Sequence, residues 1–231
     1  MTEIAFWSPR PEEDPVELQT EWRPAAERIL DAADRLLAQF GFKKMTVDSL
    51  AKEAEIGKGT VYLSFESKAD VALACIDRMA ARLLKRLHAI GAGAGSPEQR
   101  LHDMLIERVM HRFDYAKPHS SSIDDLLASI RTQLLRHRRE HFRAERGALT
   151  TVIEEGRRQG DFAVAEPAAA AEAMVTATNA LLPYSLSVEE LGQRREIQRR
   201  GDEVIHLLLR GMVAGPSVTR QGPGSATKGT P

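Results

Sequence analysis

From Arg23 to about Ala214 the apolar residues recur at steps of three and four, and no convincing alternating run interrupts them. That period belongs to helices with one inward face, so the chain is expected to be all-α, a packing of about nine helices with no sheet. With 231 residues, 42% of them hydrophobic, it can bury a sizeable core. No run approaches the ~18 apolar residues that would suggest a membrane span, and the first twenty residues lack a signal-peptide pattern. A cytoplasmic protein with no membrane partner is therefore expected. The single cysteine, Cys75, lies on an apolar stripe and reads as a small buried side chain in a reducing compartment.

Turn and cap residues divide the chain. Residues 1–22, acidic and broken by Pro9, Pro11 and Pro15, read as a disordered arm, and 215–231, rich in Gly, Pro, Ser and Thr, as a disordered tail. The first helix follows Pro24, turns Ile29, Ala33, Leu36, Leu37 and Phe40 inward, and stops at Gly41, where Phe42 folds back on the last turn. Thr46 caps a short helix carrying Val47, Leu50, Ala51 and Ala54 on one face. A turn from Glu55 to Gly57 leads to a second short helix, Lys58 to Phe65, with Val61 and Phe65 inward. Ser67 to Asp70 is a capping box opening a long helix that reaches about Ile90. After the linker Gly91 to Gly95, Ser96-Pro97-Glu98-Gln99 opens a helix with Leu101, Leu105, Val109 and Phe113 on its stripe. Another capping box, Ser122 to Asp125, starts a region whose boundary within the charged stretch Arg136 to Arg146 stays open. Pro167 then opens an alanine-rich helix, and Ser187 to Glu190 caps the last one, striped by Ile197, Val204, Ile205, Leu208 and Met212. The expected organisation is a DNA-binding unit over 23–83 and a regulatory, dimerising unit over 84–214.

Two short helices joined by a three-residue turn and braced by a longer one make a helix-turn-helix. The second short helix must show one face to the protein and the other to a DNA groove. With Val61 and Phe65 inward, Lys58, Thr60, Tyr62 and Ser64 are left for the outside. Lysine suits a phosphate or a guanine edge, threonine a thymine methyl or a phosphate, and tyrosine the backbone. Gly59 permits a close approach to the DNA. Charge alone says little: the net charge is −1, and residues 23–86 hold 12 Lys or Arg against 9 Asp or Glu, an excess of three.

Residues 23 to about 83 resemble the DNA-binding domain of the TetR family of bacterial regulators. The match runs through Ile29-Leu30, Ala32-Ala33, Gly41-Phe42, Thr46-Val47, Leu50-Ala51, Gly59-Thr60-Val61-Tyr62, Phe65 and Ser67-Lys68. The resemblance implies a core motif over 46–65, DNA contacts from Thr46, Lys58, Thr60 and Tyr62, and a phosphate contact from Lys68. It also implies a homodimer on a palindromic operator, with a small-molecule effector acting on the C-terminal half, and no cofactor. Two positions depart from the family pattern: Glu55 stands where glycine is usual in the turn, and Gly57 where serine or threonine usually caps. Glycine is a tolerable cap, whereas a positive φ at Glu55 costs about 1 kcal/mol.

His137-Arg138-Arg139-Glu140-His141 fits the H-x-x-E-H pattern of inverted zinc peptidases, but the flanking Arg136, Arg138, Arg139 and Arg143 would repel a divalent cation. No metal and no catalytic residue is expected, and a helical scaffold without specific DNA binding is the remaining alternative. For an effector pocket the large apolar or amphipathic candidates are Met104, Phe113, Tyr115, Leu127, Ile130, Met174 and Tyr184. The dimer is expected to use the last two helices, where Ala170, Ala173 and Ala177 allow close approach and Val204, Ile205, Leu208 and Met212 supply an apolar stripe.

Overall fold

A computed structural model describes residues 23–118, 123–183 and 192–213. The acidic arm, the tail, Tyr184 and the capping boxes at Ser122 and Ser187 lie wholly or partly outside the described residues. Within them eight helices follow one another: α1 (Pro24–Lys44), α2 (Val47–Glu53), α3 (Lys58–Ser64), α4 (Lys68–Gly91), α5 (Pro97–Ala116), α6 (Ile123–Gln159), α7 (Pro167–Asn179) and α8 (Arg194–Met212). The all-helical expectation holds.

Local chemistry sets most of the boundaries. Pro24, Pro97 and Pro167 each open a helix, where a missing N–H is harmless. Ser67 Oγ accepts from the Asp70 amide at 3.2 Å, and Ser96 Oγ from the Gln99 amide at 3.2 Å. Gly41, at φ 74°, breaks the helical path inside α1. The break turns Phe42 into the core and leaves Phe40, expected inward, 49% exposed at the end of the stripe. The open question around 136–146 resolves into one continuous helix: α6 runs 37 residues without a stop.

Two main cores lie along α4. Near its start, Val71, Ala72 and Cys75 pack with Ile29, Leu30 and Leu37 of α1, Leu50 of α2 and Val61 of α3. Leu126 and Ile130 of α6 close this same core. Near its end, Leu83 and Leu87 join Leu101, Met104, Leu149, Met174 and Ile205. A smaller cluster of Val109, Met110, Phe113, Leu182 and Ile197 sits between α5 and α8. One helix of 24 residues, about 36 Å long, thus belongs to both ends of the molecule.

The expected apolar stripe of α8 divides differently. Ile205 and Met212 are buried in the chain's own core, whereas Leu207 is 73% exposed and Val204 and Leu208 are half-buried. Phe162 packs onto Gly156 so closely that a Cβ there would lie 2.4 Å from its ring, and it bridges to Val213 at the end of α8.

Candidate nucleic-acid interface

The helix-turn-helix is assembled by side chains that the hydrophobic pattern does not reveal. Thr46 caps α2 reciprocally: its Oγ1 accepts from the Ser49 amide at 3.1 Å, and its own amide donates to Ser49 Oγ at 2.9 Å. The turn after α2 places Glu55 at φ 53°, the one non-glycine residue with positive φ among those described. Arg28 of α1 holds that turn from behind. Its Nη2 donates to the Ala54 carbonyl at 2.6 Å and to the Glu55 carbonyl at 3.0 Å. Gly57 then enters α3 with extended backbone and no side-chain cap.

Only Val61 of α3 is buried, with Phe65 just beyond. Lys58, Gly59 and Tyr62 are exposed, and Thr60 is half-buried. Lys58 is not idle on that surface: its Nζ lies 2.8 Å from Asp48 Oδ1 of α2. This hydrogen bond and charge hold the ammonium above the ordinary lysine range. Among the described residues a Cβ at Gly59 would meet nothing within 4 Å, so no packing inside them calls for a glycine. Leu63 stands out on this helix, though no apolar period includes it. It is 88% exposed, more than any other large apolar side chain described.

Lys68 is placed otherwise than the resemblance implied. Its Nζ donates to the carbonyls of Phe42 (3.1 Å), Met45 (3.1 Å) and Lys43 (3.3 Å), and it sits 4.6 Å from the Phe42 ring centre. An ammonium has three donors, and all three are used here to tie α4 to the end of α1. In this arrangement Lys68 has no donor left for a phosphate.

The helix-turn-helix is anchored to the rest of the chain by charge. Glu27, Asp31 and Asp34 on one face of α1 bind the nearly buried Arg78 of α4 at 2.6, 2.8 and 2.7 Å. Burial alone would lower the pKa of that guanidinium, but the carboxylates of Glu27 and Asp34 outweigh it and hold it above its usual value. Asp34 also accepts from the Tyr115 hydroxyl of α5 at 2.8 Å.

Tyr115 borders an apolar slot of about 70 Å³ between α4, α5 and α6. Ile76, Met79, Leu126, Leu127, Leu134 and Phe142 form much of its wall, and Arg112, Arg138 and His141 also line it. Of the seven pocket candidates, Tyr115 and Leu127 line this slot. Met104 and Met174 lie in the core around Leu83, Phe113 in the cluster with Ile197, and Ile130 in the core under α1. Their size and apolarity fitted a pocket and a core equally, and the packing uses them as core.

The H-x-x-E-H segment turns toward a different partner. His137 Nδ1 lies 2.9 Å from Asp77 Oδ2, and His141 Nε2 lies 3.0 Å from Asp77 Oδ1. Burial raises the Asp77 pKa, and the two imidazoles more than reverse that. Glu140 pairs with Arg143 at 3.0 Å. Among the described residues no group of three His, Cys, Asp or Glu side chains is placed to hold a metal, and no helix is long and apolar enough to cross a membrane.

Residues 29–75 match the family model described as bacterial regulatory proteins, tetR family. The HTH-type transcriptional regulator YhgD of Bacillus subtilis is 32% identical over 95 residues, 41% of this chain and 48% of that protein. The HTH-type transcriptional repressor KstR of Mycolicibacterium smegmatis is 30% identical over 92 residues, 39% of this chain and 45% of that protein. In these matches the chain spans about half the length of its relatives. A transcriptional regulator from Cytophaga hutchinsonii shares the fold over 81% of this chain and 98% of its own, with a TM-score of 0.68 at 18% identity.

Proposed function

We propose that this chain, whose residues 29–75 match the family model of tetR bacterial regulatory proteins, is a cytoplasmic, homodimeric repressor of transcription. It holds a near-palindromic operator until a small molecule releases it. The observation that carries the reading is the outward face of α3, which offers Lys58, Gly59 and Tyr62 to solvent while α1 and α2 brace its back. Thr46, Lys58, Thr60 and Tyr62 are the DNA-contacting residues in this reading, and Lys68 stiffens the unit. On DNA, Lys58 exchanges Asp48 for a phosphate or a guanine edge. The likeness to a named repressor supports the direction of control.

The dimer forms through α7 and α8. Leu207 projects from α8, and exposed Ala173 with half-buried Ala170 and Ala177 lets a partner helix approach α7 closely. Two helices from each chain bury on the order of 1,600 Å² or more. The effector enters the slot beside Tyr115 and Leu127. There it pushes α4 and α5 apart and tilts the helix-turn-helix, which spoils the roughly 34 Å spacing that two successive major grooves require.

Enrichment of random duplexes on the full chain tests this reading. A near-palindromic motif is expected, and footprinting with the Lys58→Ala, Tyr62→Ala double variant should show protection lost with helix content unchanged. An unenriched pool, or a double variant that still protects the site at the wild-type concentration, refutes it.

A further inference from the structure

We propose that Leu63 is a specificity-determining residue that reads the C5-methyl of a thymine in each operator half-site. The inference rests on the DNA-binding reading above. With about 100° per residue, Val61 and Phe65 centre the inward face of α3, and Leu63 lies about 180° from that centre. It is therefore the middle of the outward face; Thr60 lies about 60° from it, Tyr62 about 100°, at the margin, and Lys58, about 140° round, reaches out from the first turn. Among the described residues little shields Leu63: it is 88% exposed, beside Tyr62 at 53%.

An isobutyl group at the centre of a polar surface gains free energy when an apolar partner covers it. The neighbours say which partner. Gly59 lies about 40° round the helix from Leu63 and has no atom within 4 Å of a Cβ position. The helix surface is therefore low beside Leu63, and the axis can approach the base edges. A helix of 10–12 Å diameter fills a major groove of about 12 Å. In that groove the thymine C5-methyl is the apolar feature that marks one base pair from the other three. Lys58 and Thr60, on the same short helix, supply the polar contacts that set the register. The geometry thus assigns polar positioning to the rim of the helix and apolar readout to its centre.

The experiment takes the operator enriched on the wild-type chain and replaces each thymine in turn by uracil, which removes only the methyl. Wild type and Leu63→Ala are compared by equilibrium binding, with circular dichroism as the folding control. One thymine per half-site should show a uracil penalty of about fourfold for wild type, equivalent to about 0.8 kcal/mol for a buried methyl. Leu63→Ala alters both half-sites at once, so it should bind the thymine operator about sixteenfold more weakly and show no penalty at that position, while penalties elsewhere persist. If Leu63→Ala keeps the full penalty at every thymine, or wild type shows none, this inference is overturned and the DNA-binding reading stands. If wild type enriches no sequence, both fall. If Leu63→Ala instead dissociates the DNA-free dimer in sedimentation, Leu63 faces a second copy of the chain and the inference is overturned.

Discussion

Two buried ionic clusters stabilise this molecule in opposite ways. Between α1 and α4 one guanidinium, Arg78, at 3% side-chain exposure, serves three carboxylates that keep one foot in water: Glu27 at 39%, Asp31 at 54% and Asp34 at 27%. Between α5 and α6 the roles reverse. One carboxylate, Glu145, at 2% exposure, serves two guanidiniums that are themselves enclosed, Arg108 at 0% and Arg112 at 5%. Arg108 also donates to Thr178 Oγ1 at 2.8 Å and Asn179 Oδ1 at 2.6 Å, and both arginines lie over the Phe142 ring. What differs is which partner can return to water when the bond is broken. In the first cluster the acids can rehydrate. In the second nothing can.

The largest effect should therefore come from Glu145. Glu145→Ala strands two guanidiniums beside each other in the interior and should lower unfolding free energy by about 3–5 kcal/mol in a urea titration. Burial raises the Glu145 pKa, but Arg112 and Arg108 outweigh it and leave the carboxyl below the ordinary glutamate range. A folded-state pKa below the unfolded one means stability that is present above about pH 4.3 and lost as pH falls through the depressed value. Wild type should lose this contribution in acid, and Glu145→Gln, which keeps the shape without the charge, should show a flatter profile there. An acid limb unchanged in Glu145→Gln would show that the cluster is not what titrates.

Arg78→Met is the complementary break. It removes the buried member and leaves three carboxylates that water already reaches, so the cost should be only about 1–2 kcal/mol. Equal costs for Arg78→Met and Glu145→Ala would erase the proposed distinction. Arg78→Met should nevertheless weaken operator binding, because it releases α1 from α4.

These clusters also mark where the sequence stopped being legible. The helix-turn-helix could be read because its signals are local: a cap at Thr46, inward Val61 and Phe65, a capping box at Ser67. α5 was legible only by its stripe of Leu101, Leu105, Val109 and Phe113, because an apolar period does not show that Arg100, Arg108 and Arg112 are buried too, on a helix enclosed nearly all round. α6 resisted for the same reason. His141 and Glu145 continue its inward face between Ile130 and Leu149, and only partners on α4 and α5 make polar residues tolerable there. Leu63 was hidden by its type, since an isolated leucine in a helix is taken for core. Its place opposite Val61 and Phe65 was the signal available.

Tyr115→Phe probes the link between the two clusters. Its hydroxyl donates to Asp34, which Arg78 also holds, while its ring borders the slot that also touches Arg112. Losing one partly buried hydrogen bond should cost about 1 kcal/mol. The sharper readout is coupling: once an effector is identified, the variant should bind it with the wild-type affinity in the absence of DNA. Operator should then weaken effector binding less than it does in wild type, as reciprocity requires. Unchanged coupling would place the communication in α4 alone.

The smallest expected effect is a gain. Glu55 occupies the left-handed region at φ 53°, where a side chain costs about 1–2 kcal/mol that glycine does not incur. Arg28 tolerates the strain by binding the carbonyls of Ala54 and Glu55, contacts made to backbone that survive a change of side chain. Glu55→Gly relieves the steric cost but adds freedom to the unfolded chain, roughly 0.5–1 kcal/mol in the other direction. The net should be a stabilisation of about 0.5 kcal/mol, seen as a rise in the urea midpoint with unchanged slope. Arg28→Met in the wild type should then cost more than in Glu55→Gly, because only the strained turn depends on being held. Equal costs in the two backgrounds would mean that Arg28 braces the end of α2 regardless of what stands at position 55.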